Sequence, residues 1–306
     1  MNELITDIKK LQNETLENLQ SSKSKNTVRA YRSDIADFIG FCSRHNLNYL
    51  PANPNTVTLY LTNLSKTSKF STLKRRLASL NMYHKMKGHY LDIKHPIISE
   101  NLLGIKRIKG SYQTGKKPIL INDLKIIIQA INKDKITEFE KLKNKCLILL
   151  GFSGGFRRSE LVSLLIEDID FVTEGVKILI RRSKTDQTGE GFVKGIPYFE
   201  NEEYCPVLSL KKYLIKLNST SGKVFEICDK SVAIKIKKYA MLGGLDHKKY
   251  AGHSLRSGFA TSAAEVGAEE RNIMAMTGHK STQMVRRYIK EANLFKNNAL
   301  NKLNIK

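Results

Sequence analysis

The chain has 306 residues, and its 52 lysines and arginines outnumber its 29 aspartates and glutamates, which gives a formal net charge of +23 at pH 7. A charge of this size favours a polyanionic partner such as nucleic acid. The N-terminal stretch "MNELITDIKKLQNETLENLQ" alternates charge and leucine, and no run of 18 apolar residues occurs, which argues against a signal peptide and a membrane span.

The four cysteines, Cys42, Cys146, Cys205 and Cys228, are widely scattered, and three of them lie in apolar surroundings. This distribution is typical of a reduced cytoplasmic protein without a disulfide framework. Cys42 and His45 have the spacing of a metal-ligand pair, but no second pair accompanies them. We therefore interpret Cys42 as a small buried side chain and expect no zinc site.

The first hundred residues predict a helical domain, which we assign to residues 1–105. A first helix, "NTVRAYRSDIADFIGFCSRHNL", begins behind a capping asparagine or threonine, and a second begins behind Pro54 in "NPNTVTLYLTNLS". The first helix has apolar side chains at steps of three and four, which are those of Val28, Tyr31, Ile35, Phe38 and Cys42.

A third helix, "STLKRRLASLNMYHKMKGH", combines an apolar face with a strongly basic one and stops at Gly88. The side chains expected to point inward are those of Leu73, Leu77, Leu80 and either Tyr83 or His84. The outward side chains that we expect to contact DNA phosphates are those of Lys74, Arg75, Arg76 and Lys85. A basic face that only meets solvent is the alternative interpretation.

The segment "KRIKGSYQTGKK", residues 106–117, is basic, contains two glycines and lacks periodicity, so we predict a linker there. Residues 118–306 form the second predicted domain. It begins with the helical patterns "NDLKIIIQAINKD" and "LKNKCLILLGFSGGF". A short antiparallel sheet follows, in "EDIDFV", "GVKILIRRSK" and "GFVKGIPYF" around a "TGEG" turn, and helices return after it. The predicted fold is mainly α with a small antiparallel β-sheet.

Two helix starts in this domain carry groups that suit a phosphate. In "GGFRRSELVSL", Arg157 stands at the N-terminal edge of a helix, beside free amide groups and a positive dipole end. In "AGHSLRSGFATSAAEVGA", His253 and Arg256 share one helix face because they are three residues apart. The packing face of that helix is expected to consist of Leu255, Phe259 and Val266.

Three further candidates follow the same logic. Lys184 lies in the predicted turn "RRSKTDQTGEG", from which a long amine can cross a cleft. His279 follows Gly278, a predicted helix stop, and Tyr288 comes nine residues after His279 in "GHKSTQMVRRY". A tyrosine on an amphipathic helix is, taken alone, more often a half-buried packing residue than a nucleophile.

The other candidates have structural interpretations of the same kind. Arg157 could form an ion pair with the nearby Glu160. Lys184 could pair with Asp186, and His253 could cap its own helix. These alternatives stay open as long as each residue is considered separately.

Taken together, the residues Arg157, Lys184, His253 with Arg256, His279 and Tyr288 resemble, in order and spacing, the tyrosine recombinase family, also called the phage integrase family. "GFRRSEL", "HSLRSGFAT" and "GHKS" are similar to its three motif boxes. The resemblance covers roughly residues 117–295, and "NTVRAYRSDIADF" is more weakly similar to the family's core-binding domain.

The chemistry of phosphodiester cleavage gives most of these residues a task. Guanidinium groups on the non-bridging oxygens stabilise a crowded, doubly charged transition state, which suits Arg157 and Arg256. Tyr288, with a free pKa near 10, needs a base, for which His253 is our candidate. His279 should hydrogen-bond a phosphate oxygen.

The resemblance implies the remaining assignments. Lys184 would protonate the leaving 5′ oxygen, and Glu160 would orient the site without contacting the phosphate. The product of the attack would be a 3′-phosphotyrosine that needs neither ATP nor a metal for its reversal, so no cofactor is expected.

The expected partner is double-stranded DNA with a specific recombination site, gripped between the two domains. The expected assembly on DNA is a homo- or hetero-tetramer. A type IB topoisomerase-like enzyme, a non-catalytic DNA-binding relative and an RNA-binding protein are the alternatives.

Overall fold

A computed structural model describes residues 22–110, 115–183, 186, 190–296 and 299–303, together with residues 8, 10–11 and 14–15. The chain divides into two compact units, Met1–Thr114 and Gly115–Lys306. Each unit has its own core of buried apolar side chains. Within the described ranges, no helix combines the length and the apolar character that a membrane crossing requires.

The first unit consists of helices packed around one core, as predicted. The helices are α1 (Lys25–Arg44), α2 (Pro54–Ser65), α3 (Phe70–Met86) and α4 (Pro96–Lys109). The cap of α1 differs from the prediction, because Ser24 stands at the N-cap and its Oγ accepts a hydrogen bond of 3.3 Å from the main-chain N–H of Thr27. The helix therefore begins at Lys25, ahead of the asparagine and threonine that the pattern favoured.

The inward face of α3 contains the three predicted leucines and, of the two alternatives for its last position, His84. The ring is fully buried because both of its nitrogens have partners. Nε2 accepts a hydrogen bond of 2.9 Å from the main-chain N–H of Ala52, and Nδ1 is 2.9 Å from the carbonyl oxygen of Leu80. A polar side chain thereby ties α3 to the loop that precedes α2.

The predicted linker is partly helical. α4 continues through Lys109 and ends at Gly110, whose φ of 71° lies in the left-handed region. The helix is prolonged because Ile98 and Ile105, seven residues apart on one face, are both buried in the core of the first unit. At the other end of the predicted linker, the N–H of Lys117 donates to the carbonyl of residue 249 at 2.8 Å. Residues 111–114 lie outside the described residues.

The second unit combines helices with a short antiparallel sheet, as predicted, and the three strands lie side by side in chain order. The strands are β1 (Ile169–Val172), β2 (Gly175–Ile180) and β3 (Phe192–Pro197). The helices are α5 (Ile121–Lys133), α6 (Glu138–Ser153), α7 (Arg158–Val162), α8 (Pro206–Leu217), α9 (Asp229–Leu242), α10 (Ser254–Glu265), α11 (Glu270–Thr277) and α12 (Thr282–Ala292). The sheet register pairs Val176 with Ile196 and Ile178 with Ile169.

The central helix of this unit is α6, whose last eight residues are all buried. It packs against α8 on one side and α10 on another, and α10 in turn packs against α12. Gly151 lets α10 approach closely, because a Cβ there would lie 2.9 Å from a methyl carbon of Leu255 and 3.0 Å from one of Leu161. The close packing places α10, which carries Arg256, firmly against the core.

The packing face predicted for α10 is correct for Leu255 and Phe259 and wrong for Val266. Leu255 is buried and Phe259 packs against the core, whereas Val266 is 78% exposed. The reason is that α10 ends at Glu265 and Val266 is its C-cap, followed by Gly267 with a φ of 83°. The helical periodicity therefore stops before it reaches the valine.

Candidate active site

The second unit brings the start of α10, the C-terminal end of α11 and the middle of α12 next to the start of α7. Five of the six predicted catalytic side chains lie there, those of Arg157, His253, Arg256, His279 and Tyr288. The sixth, Lys184, lies outside the described residues.

Arg157 is held at the N-cap of α7 by Glu160. The carboxylate of Glu160 accepts hydrogen bonds from the main-chain N–H of Arg157 at 2.8 Å and from its Nη1 at 2.6 Å. Nη2 of Arg157 also donates to the carbonyl oxygen of Gly278 at 3.4 Å. The ion pair with Glu160, one of the two interpretations of Arg157, therefore exists, and it fixes the guanidinium beside Gly278. A contact of Arg157 with a phosphate stays a prediction.

The neighbouring arginine points elsewhere. The side chain of Arg158 runs over Gly252, where a Cβ would come within 1.9 Å of its Cδ, and its guanidinium lies 4.0 Å from Asp229. A larger residue in place of Gly252 would displace the side chain of Arg158. Arg287, beside the tyrosine, extends toward Gly115, so that its Nη2 would be 3.5 Å from a Cβ there.

Arg256 is the most deeply buried charge of the site, with 1% of its surface exposed. Its Nη1 donates to the carbonyl oxygen of Gly155 at 2.8 Å, whereas Nε and Nη2 find no hydrogen-bond partner among the described residues. Burial, and then the charge of Arg157, lowers the pKa of Arg256 to about 10, so the group stays charged at neutral pH. Buried donors without acceptors are costly, and an anion would satisfy them.

Tyr288 and His253 meet at the centre of the site, where the phenol oxygen is 3.3 Å from Nε2 of the imidazole. Burial raises the pKa of Tyr288, and the charges of Arg256 and Arg287 oppose that rise. Burial also lowers the pKa of His253, and nearby arginines, Arg256 first, lower it further. At neutral pH the pair is therefore a protonated tyrosine beside an uncharged imidazole, which is able to accept the proton.

His279 follows the C-terminal end of α11, which stops at Gly278 with a φ of 60°, as predicted. Its ring centroid lies 6.2 Å from that of Tyr288. Nδ1 is 2.7 Å from Oγ1 of Thr277. Burial, followed by the charges of Arg256 and Arg157, lowers the pKa of His279 to about 4.

A second lysine, Lys194 on β3, belongs to the site and was not among the predicted residues. It is 2% exposed, and its Nζ donates to the carbonyl oxygens of Gly154, at 2.5 Å, and Met276. The ammonium lies 4.5 Å from the ring centroid of Phe156, and burial lowers its pKa to about 7. The alternation of "FVKGIP" puts Lys194 on the same strand face as the buried Ile196, which is the sequence signal that could have identified it.

The predicted DNA-contacting residues of the first unit do not all face outward. Lys74, Arg75 and Lys85 are exposed, but the side chain of Arg76 is only 16% exposed. Its Nη1 is 2.5 Å from Oδ2 of Asp37, and its Nε is 3.4 Å from Oδ1 of Asp34, which also pairs with Arg75. The prediction that Arg76 lies on the outer face is wrong, because two carboxylates of α1 draw it between the helices.

Each of the two units matches the profile of a known protein family. The profile of the phage integrase family matches residues 119–294. That of the "Phage integrase, N-terminal SAM-like domain" matches residues 14–89.

Individual proteins are similar over most of the chain. An "Integrase/recombinase xerD homolog" of Selenomonas ruminantium is 40% identical over 300 residues, which cover 93% of this chain and 87% of that protein. Among solved structures, the XerH site-specific recombinase bound to palindromic difH substrate has a TM-score of 0.67 at 18% identity, covering 90% of this chain and 78% of that one. A lambda integrase dimer bound to a COC' core site has a TM-score of 0.59 at 16% identity. The similarity covers 90% of this chain and 75% of that one.

Proposed function

The chain belongs to the phage integrase family, the site-specific tyrosine recombinases, and we propose that it breaks and rejoins DNA through a covalent bond between Tyr288 and a 3′ phosphate. The observation that carries this proposal is the 3.3 Å contact between the phenol oxygen of Tyr288 and Nε2 of His253. The contact lies beside Arg256, whose buried Nε and Nη2 have no acceptor in the described part of the chain. The proposed nucleophile Tyr288, the proposed base His253 and the proposed anion site at Arg256 thus lie side by side.

In the first step, the oxygen of Tyr288 attacks the phosphorus while its proton passes to Nε2 of His253. The bond from tyrosine oxygen to phosphorus forms as the bond from phosphorus to the 5′ oxygen breaks. Nε and Nη2 of Arg256 bind the non-bridging oxygens, together with the guanidinium of Arg157 that Glu160 holds. Because these donors are in place beforehand, they stabilise the transition state without reorganisation.

The leaving 5′ oxygen needs a proton, and we assign Lys184 as its source. Lys194 is the lysine that the structure places at the site, but its Nζ already donates to the carbonyl oxygens of Gly154 and Met276. We assign Lys194 a structural task, because these carbonyls belong to the segments that precede Arg157 and His279. In the reverse step, a 5′ hydroxyl attacks the phosphotyrosine, and no external energy source is consumed because one phosphodiester replaces another.

The substrate that we propose is duplex DNA with a specific recombination site, contacted by basic side chains of both units, including Lys74, Arg75 and Lys85. The net charge of +23 supports a grip on the phosphate backbone. The DNA complexes of similar fold, a XerH recombinase and a lambda integrase dimer, support assembly on DNA. We propose that a tetramer performs the full reaction and that it works in the cytoplasm.

The alternatives that share this fold are less well supported. A relative named integrase/recombinase matches 93% of the chain, which favours recombination over relaxation by a type IB topoisomerase. A non-catalytic DNA-binding protein would have no need for the buried donors of Arg256 beside Tyr288.

Recovery of covalent complexes tests the proposed function. The protein is incubated with fragments of the DNA that flanks its own gene and is then denatured, and the DNA that remains bound to it is sequenced. We expect one recurring sequence, joined through its 3′ phosphate. Fragments joined through a 5′ phosphate, or no covalent complex on any fragment, would contradict the proposal.

A further inference from the structure

Thr277, the last residue of α11, makes two short hydrogen bonds with its hydroxyl group. The side chain is fully buried, and Oγ1 lies 2.6 Å from the carbonyl oxygen of Ile273 and 2.7 Å from Nδ1 of His279. A second carbonyl oxygen, that of Met274, is 3.5 Å away. The hydroxyl therefore stands between the backbone of its own helix and the imidazole.

The proton count of this arrangement decides the tautomer of His279. A carbonyl oxygen can only accept, so two oxygens 2.6 Å apart must share the single hydroxyl proton of Thr277. That proton is then not available to the imidazole, and the contact of 2.7 Å must contain a proton on Nδ1. Donation to Met274 instead of Ile273 leads to the same result. Neutral His279 consequently has its lone pair on Nε2.

A ring nitrogen that carries a lone pair cannot donate a hydrogen bond, so Nε2 of neutral His279 cannot donate to a phosphate oxygen. We propose that Thr277 is a positioning residue that holds neutral His279 in the Nδ1–H tautomer, so that the ring must take up a proton at Nε2 before it can donate a hydrogen bond to the scissile phosphate. The proton comes from water, and the ring becomes an imidazolium. This inference rests on the proposed function, in which His279 contacts a phosphate oxygen.

The surroundings of His279 oppose that proton uptake until DNA is bound. The charged and titratable groups that face the ring come from four elements, and they are Arg157, Lys194, His253, Arg256 and Tyr288. Burial and the positive charges among them hold the pKa of His279 near 4 in the free protein. A phosphate that enters between the arginines brings negative charge next to Nε2 and raises the pKa. Entry of the substrate thereby charges His279.

The tautomer can be read directly by nitrogen-15 NMR of the histidine rings, with His279→Gln used to assign the signal. At pH 7 and without DNA, we expect Nδ1–H in the wild type and in Thr277→Ser, which keeps the hydroxyl. We expect Nε2–H in Thr277→Val, which has nearly the same shape and no hydroxyl. An Nε2–H ring in the wild type, or an Nδ1–H ring that persists in Thr277→Val, would overturn the assignment. This measurement needs no DNA cleavage, so its result is independent of the proposed function.

The link to the phosphate is tested by the cleavage rates of wild type and Thr277→Val as a function of pH. Only the wild type must take up a second ring proton before Nε2 can donate, whereas neutral Thr277→Val already has Nε2–H. The ratio of the variant rate to the wild-type rate should therefore rise with pH, by up to about tenfold per unit. Other titrating groups cancel in this ratio, and Thr277→Ser should give a flat one. A flat ratio for Thr277→Val, despite a changed tautomer, would refute the required proton uptake.

If Thr277→Val does not fold, the wild-type and Thr277→Ser spectra still decide the tautomer. A wild type that does not cleave DNA would contradict the proposed function and leave the tautomer result standing.

Discussion

The phenol oxygen of Tyr288 lies 3.3 Å from Nε2 of His253, although the two residues are 35 positions apart and belong to different elements. The contact exists because α10 and α12 pack against each other. It pairs a tyrosine whose pKa burial raises with a histidine whose pKa burial lowers. Both shifts keep the proton on the phenol at neutral pH and leave the imidazole free to receive it.

The first prediction concerns the pH dependence of cleavage through His253. Its pKa lies below the ordinary 6.5, so the base is uncharged at pH 7 and above and becomes charged only as the pH falls below 6.5. At DNA concentrations well below saturation, where the rate reports the pKa values of the free protein, cleavage by the wild type should therefore lose its His253-dependent rate only in that acidic range. The variant His253→Gln should be slower by about 10²–10⁴-fold and lack this acidic loss. An equal loss of rate at acidic pH in His253→Gln would exclude His253 as the base.

The second prediction distinguishes the arginines of the site. Removing the Arg256 guanidinium takes away the two buried donors, Nε and Nη2, so Arg256→Ala should slow cleavage and religation alike by about 10²–10³-fold. Arg157→Ala should act in the same direction. Arg158→Ala is the matched control, because that side chain packs over Gly252 and its guanidinium lies near Asp229.

These rates should be measured with pre-bound DNA, so that affinity does not enter. The control should stay within a few-fold of the wild type. A loss in Arg158→Ala as large as that in Arg157→Ala would show that the wrong arginine of the pair has been assigned.

The third prediction separates Lys184 from Lys194 as the general acid. A substrate with sulfur in place of the bridging 5′ oxygen needs no proton, because a thiolate is a good leaving group at neutral pH. This substrate should restore cleavage by Lys184→Ala. It should not restore cleavage by Lys194→Met, since Nζ of Lys194 is bound to the carbonyl oxygens of Gly154 and Met276 and supports the site mechanically. If the sulfur substrate restored cleavage by Lys194→Met but not by Lys184→Ala, Lys194 would be the general acid.

Features of the fold that depend on neighbouring residues could be predicted from the sequence. The start of α7 at Arg157 and the stop at Gly278 depend on neighbouring residues, and both were predictable. Lys194 and Thr277 were missed because their partners, the carbonyls of Met276 and Ile273 and the ring of His279, converge only in the folded chain. The alternation of "FVKGIP" indicates that Lys194 is buried, but it does not reveal which carbonyl groups the lysine binds, and no pattern marks Thr277.

The two wrong predictions, for Arg76 and Val266, have different origins. Helical periodicity put Arg76 on the outer face of α3, but Asp34 and Asp37 on the neighbouring helix draw the guanidinium inward. Periodicity also extended α10 to Val266, although the helix ends one residue earlier. A tertiary contact overrides the pattern at Arg76, and a single sequence does not reveal that contact. The end of α10 has a local signal that was missed, since Gly267 follows Val266 with a φ of 83°.

The fourth prediction concerns the residues that follow α12. Leu294 and Phe295 are exposed, the latter by 80%, and Leu300 and Leu303 are exposed as well. We expect this apolar segment to dock on a neighbouring protomer on DNA. Deletion of residues 293–306 should therefore reduce synapsis, measured as the tetrameric complex in native gels, and should change strand cleavage more than DNA binding. The double variant Leu294→Ser, Phe295→Ser should reproduce the loss without shortening the chain, and unchanged recombination by both proteins would eliminate docking.

Tyr288→Phe tests the proposed nucleophile most directly, because it removes one hydroxyl and leaves the ring and the surrounding charge in place. On a nicked substrate whose short 5′ fragment diffuses away, the wild type should accumulate as a protein joined to a 3′ phosphate, and peptide mapping should locate the bond on Tyr288. Tyr288→Phe should bind the same DNA with nearly unchanged affinity and form no adduct. An adduct mapped to another residue, or cleavage by Tyr288→Phe at the wild-type rate, would contradict the assignment of Tyr288 as the nucleophile.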